Sequence, residues 1–231
     1  MIKDLRYLAD AGELVGYFGY GSLVNRATLR TEIVAAFPAR LNGWRRTWRP
    51  QPVMAHAAVP GADPAIGGGA GKAFTPALLT AHRAPQAAID GLLVIDLRAN
   101  LPAVDARERH YHRRDIGPGD LEFYGSAPDI GCTLHVYEAR SELPSAEGAT
   151  PILRSYLDAV MQGFCTEFGE DGLMRFVAET DDFYTPIHED RHAPLYPRSV
   201  QLSAREIDLF DAALGQRPIG QSMRGQVLSD D

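Results

Sequence analysis

Residues 14–23 read LVGYFGYGSL, and the reading of this stretch decides the fold. Its first half is a short apolar and aromatic run, and its second half is punctuated by Gly19 and Gly21. Such a run, ending in Tyr20, Gly21 and Ser22, predicts a buried strand that leaves its sheet through a tight turn. Downstream, Asn25 is placed to cap a helix in which Leu29, Ile33 and Phe37 recur at four-residue spacing until Pro38 stops it. The following stretch, ARLNGWRRTWRP, alternates well enough for a strand, with Trp44 and Trp48 as its large packing surfaces.

Working outward, residues 89–97 (IDGLLVIDL) are the most apolar run of the chain and predict a central strand, and residues 132–137 (CTLHVY) alternate as another. Residues 50–88 are rich in Ala, Gly and Pro and follow neither period, which predicts a short strand near 53–59 and then a long mobile loop. From residue 151 the pattern turns helical, through Ile152, Leu153, Tyr156, Leu157, Val160 and Phe164. A last helix runs from Ser203 to Leu214, opened by a capping box of Ser203 and Glu206. The final residues, 216–231, are small and polar and should fray. One domain over residues 1–231 is expected, with a core at about 14–140 and a helical extension at about 150–215.

Composition narrows the partners. The 231 residues are 45% hydrophobic, and 30 acidic residues against 23 basic ones give a formal net charge of -7. No global basic field draws the chain to nucleic acid or to an anionic membrane, so a small molecule is the expected partner. The two cysteines, Cys132 and Cys165, form no C-x-x-C pair, which fits a reducing compartment. The first sixteen residues mix charges with apolar positions, unlike a secretory signal, and no segment approaches the roughly 20 apolar residues of a membrane span. A cytoplasmic location is expected.

The segment that bears chemistry follows the central strand. Asn100, Leu101 and Pro102 read as a cap, a first position and an early proline, predicting a helix through about His112. Leu101, Val104, Glu108 and Tyr111 then share one face, while Arg107, Arg109 and Arg113 are displayed on the others. Glu108 is a carboxylate on an apolar stripe, where desolvation lifts a carboxyl toward the range useful to a general acid or base. The competing readings are a structural ion pair with a neighbouring arginine and a position at the wet margin of the helix.

Two segments together, YFGYGSL at 17–23 and DARERHYHR at 105–113, resemble the paired motifs of the γ-glutamylcyclotransferase family. The form D-x-R-E-x-x-Y-x-R looks like the glutathione-specific branch, although Val24 and Asn25 replace the apolar-aromatic ending of that branch's first motif. The resemblance covers roughly residues 15–50 and 88–140. It implies an α+β fold, a small mixed β-barrel-like sheet with surrounding helices. It implies that Tyr20, Gly21, Ser22 and Leu23 line the pocket for a γ-glutamyl group and that Glu108 is the catalytic acid/base. The implied reaction is cyclisation of the γ-glutamyl group to 5-oxoproline with expulsion of an amino acid, peptide or amine. No cofactor and no metal are implied.

Other patterns point elsewhere. His188 and His192 match the H-E-x-x-H spacing of zinc hydrolases, but Pro186 and Pro194 bracket them and no apolar face accompanies them, so a polar loop near the pocket is the preferred reading. GGGAGK at 67–72 fails as a phosphate loop, with Ala73 where Ser or Thr is needed. His110 and His112 read as surface residues, and Arg46 or Arg49 as a possible contact for a substrate carboxylate. The leading rival to an enzyme is a non-catalytic binding protein on the same scaffold.

Overall fold

The computed structural model describes residues 5–29, 32–52, 75–128, 131–146 and 150–217. The decisive apolar run forms β1 (Leu14–Gly19), all six of whose residues are buried. It cannot alternate because it is bonded on both edges and covered on both faces. One neighbour is β3 (Ala77–Leu97), antiparallel, with Leu14 opposite Leu97, and the other is β6 (Thr133–Ala139), parallel, with Val15 opposite Thr133.

Around this centre, β2 (Ala35–Pro50) pairs antiparallel with β3, β4 (Tyr111–Ile116) with β6, and β5 (Leu121–Phe123) with β2. The short β8 (Thr180–Asp181) joins β2 in parallel. Among the described residues the sheet thus has seven strands, in the order β4-β6-β1-β3-β2-β5 with β8 beside β2. The class is α+β with a mixed sheet, as expected. Its hydrogen-bonded path ends at β4 and at β5, however, so the sheet is not a closed barrel.

Three expectations are corrected. The helix expected from Asn25 to Phe37 does not form among the described residues: two 3-10 turns, Ser22–Val24 and Arg26–Thr28, precede β2, which already contains Phe37 and Pro38. Four-residue spacing is a multiple of two as well as nearly a helical turn, so it could not separate the two structures. Pro38 is tolerated because its carbonyl accepts from Tyr124 N, so its nitrogen also faces away from β3 and the ladder to β3 loses no donor.

Second, residues 77–88 are strand rather than loop, the first half of β3 opposite Trp44 to Pro50. Between the pairs Asn42–Ala88 and Trp44–Arg83 only Gly43 faces four residues of β3, with Pro85 among them, and Gly43 takes a φ of 77° that favours glycine. The strand expected near 53–59 lies outside the described residues. Third, the helix after Asn100 is short: α2 (Leu101–Arg107) ends at Glu108, and Tyr111 opens a strand.

The C-terminal part is helical as read. After β7 (Ile152–Leu153), α3 (Arg154–Ala178) runs past residue 168 with a break at Gly169, whose φ is 69°. Leu157, Val160, Met161 and Phe164 of α3 join Phe18, Trp44 and Trp48 in one apolar cluster, each large side chain contributing roughly 1.5–3 kcal/mol by burial. α4 (Ala204–Gly215) opens on the Ser203–Glu206 capping box and packs Phe210, Ala213 and Leu214 inward. A short α1 (Leu5–Asp10) precedes β1. Among the described residues, no helix is long and apolar enough to cross a membrane.

Arg46 is sealed in this core at 0% exposure, its guanidinium 4.8 Å and 5.0 Å from the ring centres of Phe164 and Phe176, with Nη1 donating to Asp90 O at 2.9 Å. It is therefore no contact for a substrate carboxylate.

Candidate active site

At the exit of β1 the chain turns on glycine. A Cβ at Gly19 would stand 2.5 Å from Leu23 Cβ, so no larger residue fits the fold-back. The following turn is clamped from the C-terminal side. Asn25 Nδ2 donates to Ala159 O at 2.9 Å and to Gln162 Oε1 at 3.0 Å, while its Oδ1 accepts from Ala27 N. Gly163 lets α3 approach so closely that a Cβ there would meet Asn25 N at 2.6 Å. Asn25 does cap, as its residue type suggested, but it caps a 3-10 turn held against a helix more than 130 residues downstream. Within residues 20–23, Tyr20, Ser22 and Leu23 are all buried. The turn's own bonds, Val24 N to Gly21 O and Asn25 N to Ser22 O, do not use the N–H groups of Gly21, Ser22 or Leu23.

Glu108 arrives from the other side as the residue that ends α2. Its N–H closes the last helical bond to Val104 O, and its own carbonyl accepts from Tyr111 N, so the chain reverses into β4 with Glu108 and Tyr111 still on the same side. The side chain is 14% exposed, and Arg107 Nε stands 3.0 Å from Oε1. That nitrogen makes no aligned hydrogen bond, so the pair is held by charge rather than by geometry. Burial pushes the Glu108 carboxyl above its ordinary value, and the charges of Arg107 and Arg198 only partly oppose it. The C-terminal end of a helix also disfavours an anion.

Arg107 was expected on a displayed face and lies inward instead. Its Nη2 donates to Ser22 Oγ at 3.0 Å and its Nη1 to Thr28 O at 3.1 Å, and Thr28 Oγ1 in turn donates to Ser22 O at 2.6 Å. One guanidinium thus ties the turn after β1 to the end of α2.

Between these elements lies a cleft of about 300 Å³ including its open mouth, lined by Tyr20, Gly21, Ser22, Leu23 and Glu108. All five residues singled out in the sequence therefore meet. Tyr111, Tyr137 and Tyr156 complete the wall together with Phe18 and Leu79. The tyrosines are fixed by their own bonds: Tyr20 OH donates to Tyr137 O at 2.5 Å, Tyr111 OH to Leu79 O at 2.9 Å, and Tyr137 OH to Asp105 Oδ1 at 2.9 Å. Burial first, and the Glu108 charge among the further causes, raises all four phenols, which stay protonated near neutrality. Glu108 is the carboxylate of this lining. A Cβ at Gly21 would point at Tyr156 OH from 3.0 Å, into the cleft.

Tyr111 was assigned to the same face as Glu108, but Arg107, Tyr137 and Tyr156 were not singled out. Tyr156 sits on an apolar helical stripe that reads as core, and its ring packs edge-on against Trp48 and Tyr196. Arg198, whose Nε donates to Tyr196 OH, also escaped notice. Nothing local marks these residues. The H-E-x-x-H stretch does not form a helix: His188 ends the two-residue β9 (Ile187–His188), and Asp190 accepts from Ser155 N, Ser155 Oγ and Leu195 N as a structural clasp. His110 is half-buried beside Gln51, not on the surface, and burial lowers it to about 4. GGGAGK lies outside the described residues.

No family model matches the sequence, and no curated protein does. Solved structures do. One described as a γ-glutamyl cyclotransferase shares 15% identity, covers 87% of this chain and 99% of its own, and superposes with a TM-score of 0.50. An uncharacterized protein from Homo sapiens shares 16% identity over 86% of this chain and 99% of its own at a TM-score of 0.46. A yeast γ-glutamyl cyclotransferase specific to glutathione shares 11% identity over 89% and 97% at 0.39. The first of these carries the comparison, and at its low identity the likeness is one of architecture: this chain has the fold of the γ-glutamyl cyclotransferases.

Proposed function

We propose that the protein is a γ-glutamyl cyclotransferase that converts a γ-glutamyl amide to 5-oxoproline, with Glu108 as general acid and base and residues 20–23 as the substrate-binding turn. The observation that carries this reading is the meeting of a single desolvated carboxylate with the glycine-containing turn at residues 20–23 in one tyrosine-walled cleft.

The substrate carries its own nucleophile, so the site must fold it until its α-amino nitrogen reaches the γ-carbonyl carbon, an entropic advantage that can be very large. Glu108 takes a proton from the α-ammonium group so that the amine attacks, and it gives that proton to the leaving nitrogen as the carbon–nitrogen bond breaks; the second proton lost by the ring nitrogen is balanced by the one that the released amine takes up from solvent. The attacking nitrogen goes from three hydrogens to one and the leaving nitrogen from one to three, so no net proton is consumed. Negative charge on the carbonyl oxygen, or the substrate's α-carboxylate, is met by N–H groups of the turn at residues 20–23, which no side chain screens at Gly21. The phenols of Tyr20, Tyr111 and Tyr137 already donate within the protein, so they offer the substrate a neutral wall with acceptor oxygens.

The test is direct. Purified protein incubated with glutathione, γ-glutamyl amino acids and γ-glutamyl amines should release 5-oxoproline, read by mass spectrometry. Binding of these compounds without release of product would favour the non-catalytic binding protein.

A further inference from the structure

The loop that follows β9 brings one more cation to the site. Asp190 holds its start, accepting from Ser155 N at 2.7 Å, Ser155 Oγ at 2.5 Å and Leu195 N at 2.9 Å, and Tyr196 N in turn donates to Ser155 Oγ at 3.1 Å. Arg191 adds a two-pronged bond to Asp158, at 2.7 Å and 3.0 Å. Both clasps grip the first turns of α3, so the loop is fixed against the same stretch of helix that supplies the Tyr156 wall of the cleft.

What the clasps present is Arg198. Tyr196 is buried with its ring edge-on to that of Tyr156, 5.0 Å between centres. The Arg198 guanidinium lies over the Tyr196 ring at 5.2 Å, and its Nε donates to Tyr196 OH at 3.1 Å. The series Tyr156, Tyr196, Arg198 thus links the cleft wall to a half-buried arginine whose charge acts on Glu108. Among the described residues Arg198 pairs with no carboxylate, and its Nη1 and Nη2 make no hydrogen bond. Arg107, the other cation beside Glu108, has its Nη1 and Nη2 already committed to Thr28 and Ser22. A γ-glutamyl group carries its α-ammonium and its α-carboxylate on one carbon. With the ammonium at Glu108, the carboxylate must lie beside it and face whichever neighbouring cation still has donors to give.

Resting on the cyclotransferase reading, we propose that Arg198 binds the substrate's α-carboxylate through Nη1 and Nη2, which leaves the N–H groups of residues 20–23 for the carbonyl oxygen. Glutathione and γ-glutamyl-alanine are each compared with the 4-aminobutanoyl compound that has the same leaving amine and lacks only the α-carboxylate. Both kinds close a five-membered lactam by the same exchange of one carbon–nitrogen bond for another, yielding 5-oxoproline or 2-pyrrolidinone. Arg198→Gln should lower kcat/KM for the γ-glutamyl compounds about 10-fold or more, the scale of one charge-assisted hydrogen bond, with a far smaller fall for the 4-aminobutanoyl ones. Arg198→Lys should restore part of the loss, since it keeps the charge without the fork. Where a 4-aminobutanoyl compound is cyclised too slowly to follow, its inhibition constant against the γ-glutamyl substrate gives the same comparison. An equal fall on both kinds, the outcome if Arg198 acted only through Glu108 or through the loop, overturns the assignment while 5-oxoproline formation stands, as does no fall at all. Absence of 5-oxoproline from both γ-glutamyl compounds overturns the cyclotransferase reading and the assignment with it.

Discussion

Glu108 and Asp90 are both carboxylates withdrawn from water and both face arginine, yet their surroundings drive them in opposite directions. Asp90, on β3 with no exposed surface, accepts from Arg40 Nη1 at 2.7 Å, Tyr124 OH at 2.6 Å and Arg175 Nε at 2.8 Å. Burial alone would raise its pKa, but these aligned donors outweigh that and hold it below the ordinary carboxylate range. Glu108 keeps a little exposure, with Arg107 off-line beside it and Arg198 acting on it only by charge, and there burial wins. The number and aim of donors, rather than depth, separate a carboxylate that braces the sheet from one that can exchange a proton.

Substitutions should separate the two. Glu108→Gln should lower 5-oxoproline turnover about 10²–10⁴-fold, with the urea midpoint held or raised, since a disfavoured charge is removed. An unchanged rate would remove Glu108 from the chemistry. Asp90→Ala should do the reverse, costing about 3 kcal/mol in urea unfolding because two arginines lose a buried partner, with turnover per folded molecule retained. Gly163→Ala should break the division. Its Cβ would meet Asn25 N at 2.6 Å and Asn25 Cα at 2.8 Å, so relief must move either α3 or the turn after β1. A loss of about 1–3 kcal/mol together with reduced kcat/KM is expected, whereas a stability loss alone would show that the turn is not held by α3.

The smallest effect is the most diagnostic. Because Glu108 must be ionised to act as base, the acid limb of kcat/KM should lie above the ordinary glutamate value of 4.5. Arg107→Gln should move that limb upward by removing the opposing charge, whatever it does to the height of the profile. Stability carries the opposite signs. The contribution of Asp90 is present above its unfolded pKa and is lost as pH falls through its depressed folded value. The contribution of Glu108 is present below its unfolded pKa and is lost as pH rises through its raised folded value. Acid titrations of unfolding free energy for wild type, Asp90→Ala and Glu108→Gln should resolve the two.

Much of the architecture is written locally. The doubly buried run of β1, the apolar second half of β3, the alternation of β6 and the capping box of α4 each declare themselves within a few residues. The first half of β3 does not, because what makes residues 77–83 a strand is the ladder to Trp44 through Pro50, and their own composition carries no such pattern. The end of α2 was hidden for the same reason: no glycine or proline interrupts residues 103–112, and β4 begins at Tyr111 because it finds Ala139 of β6.

The candidate site divides along that line. The types and local spacing of residues 20–23, Glu108 and Tyr111 are properties of the sequence, since glycine permissiveness and a carboxylate among apolar neighbours are local facts. Their convergence, the inward turn of Arg107 onto Ser22 across 85 residues, and the arrival of Tyr156 on α3 belong to the tertiary structure alone. Periodicity and capping act over one or two turns of chain. Desolvation and charge pairing act through space, and no local pattern records which distant partner will supply them.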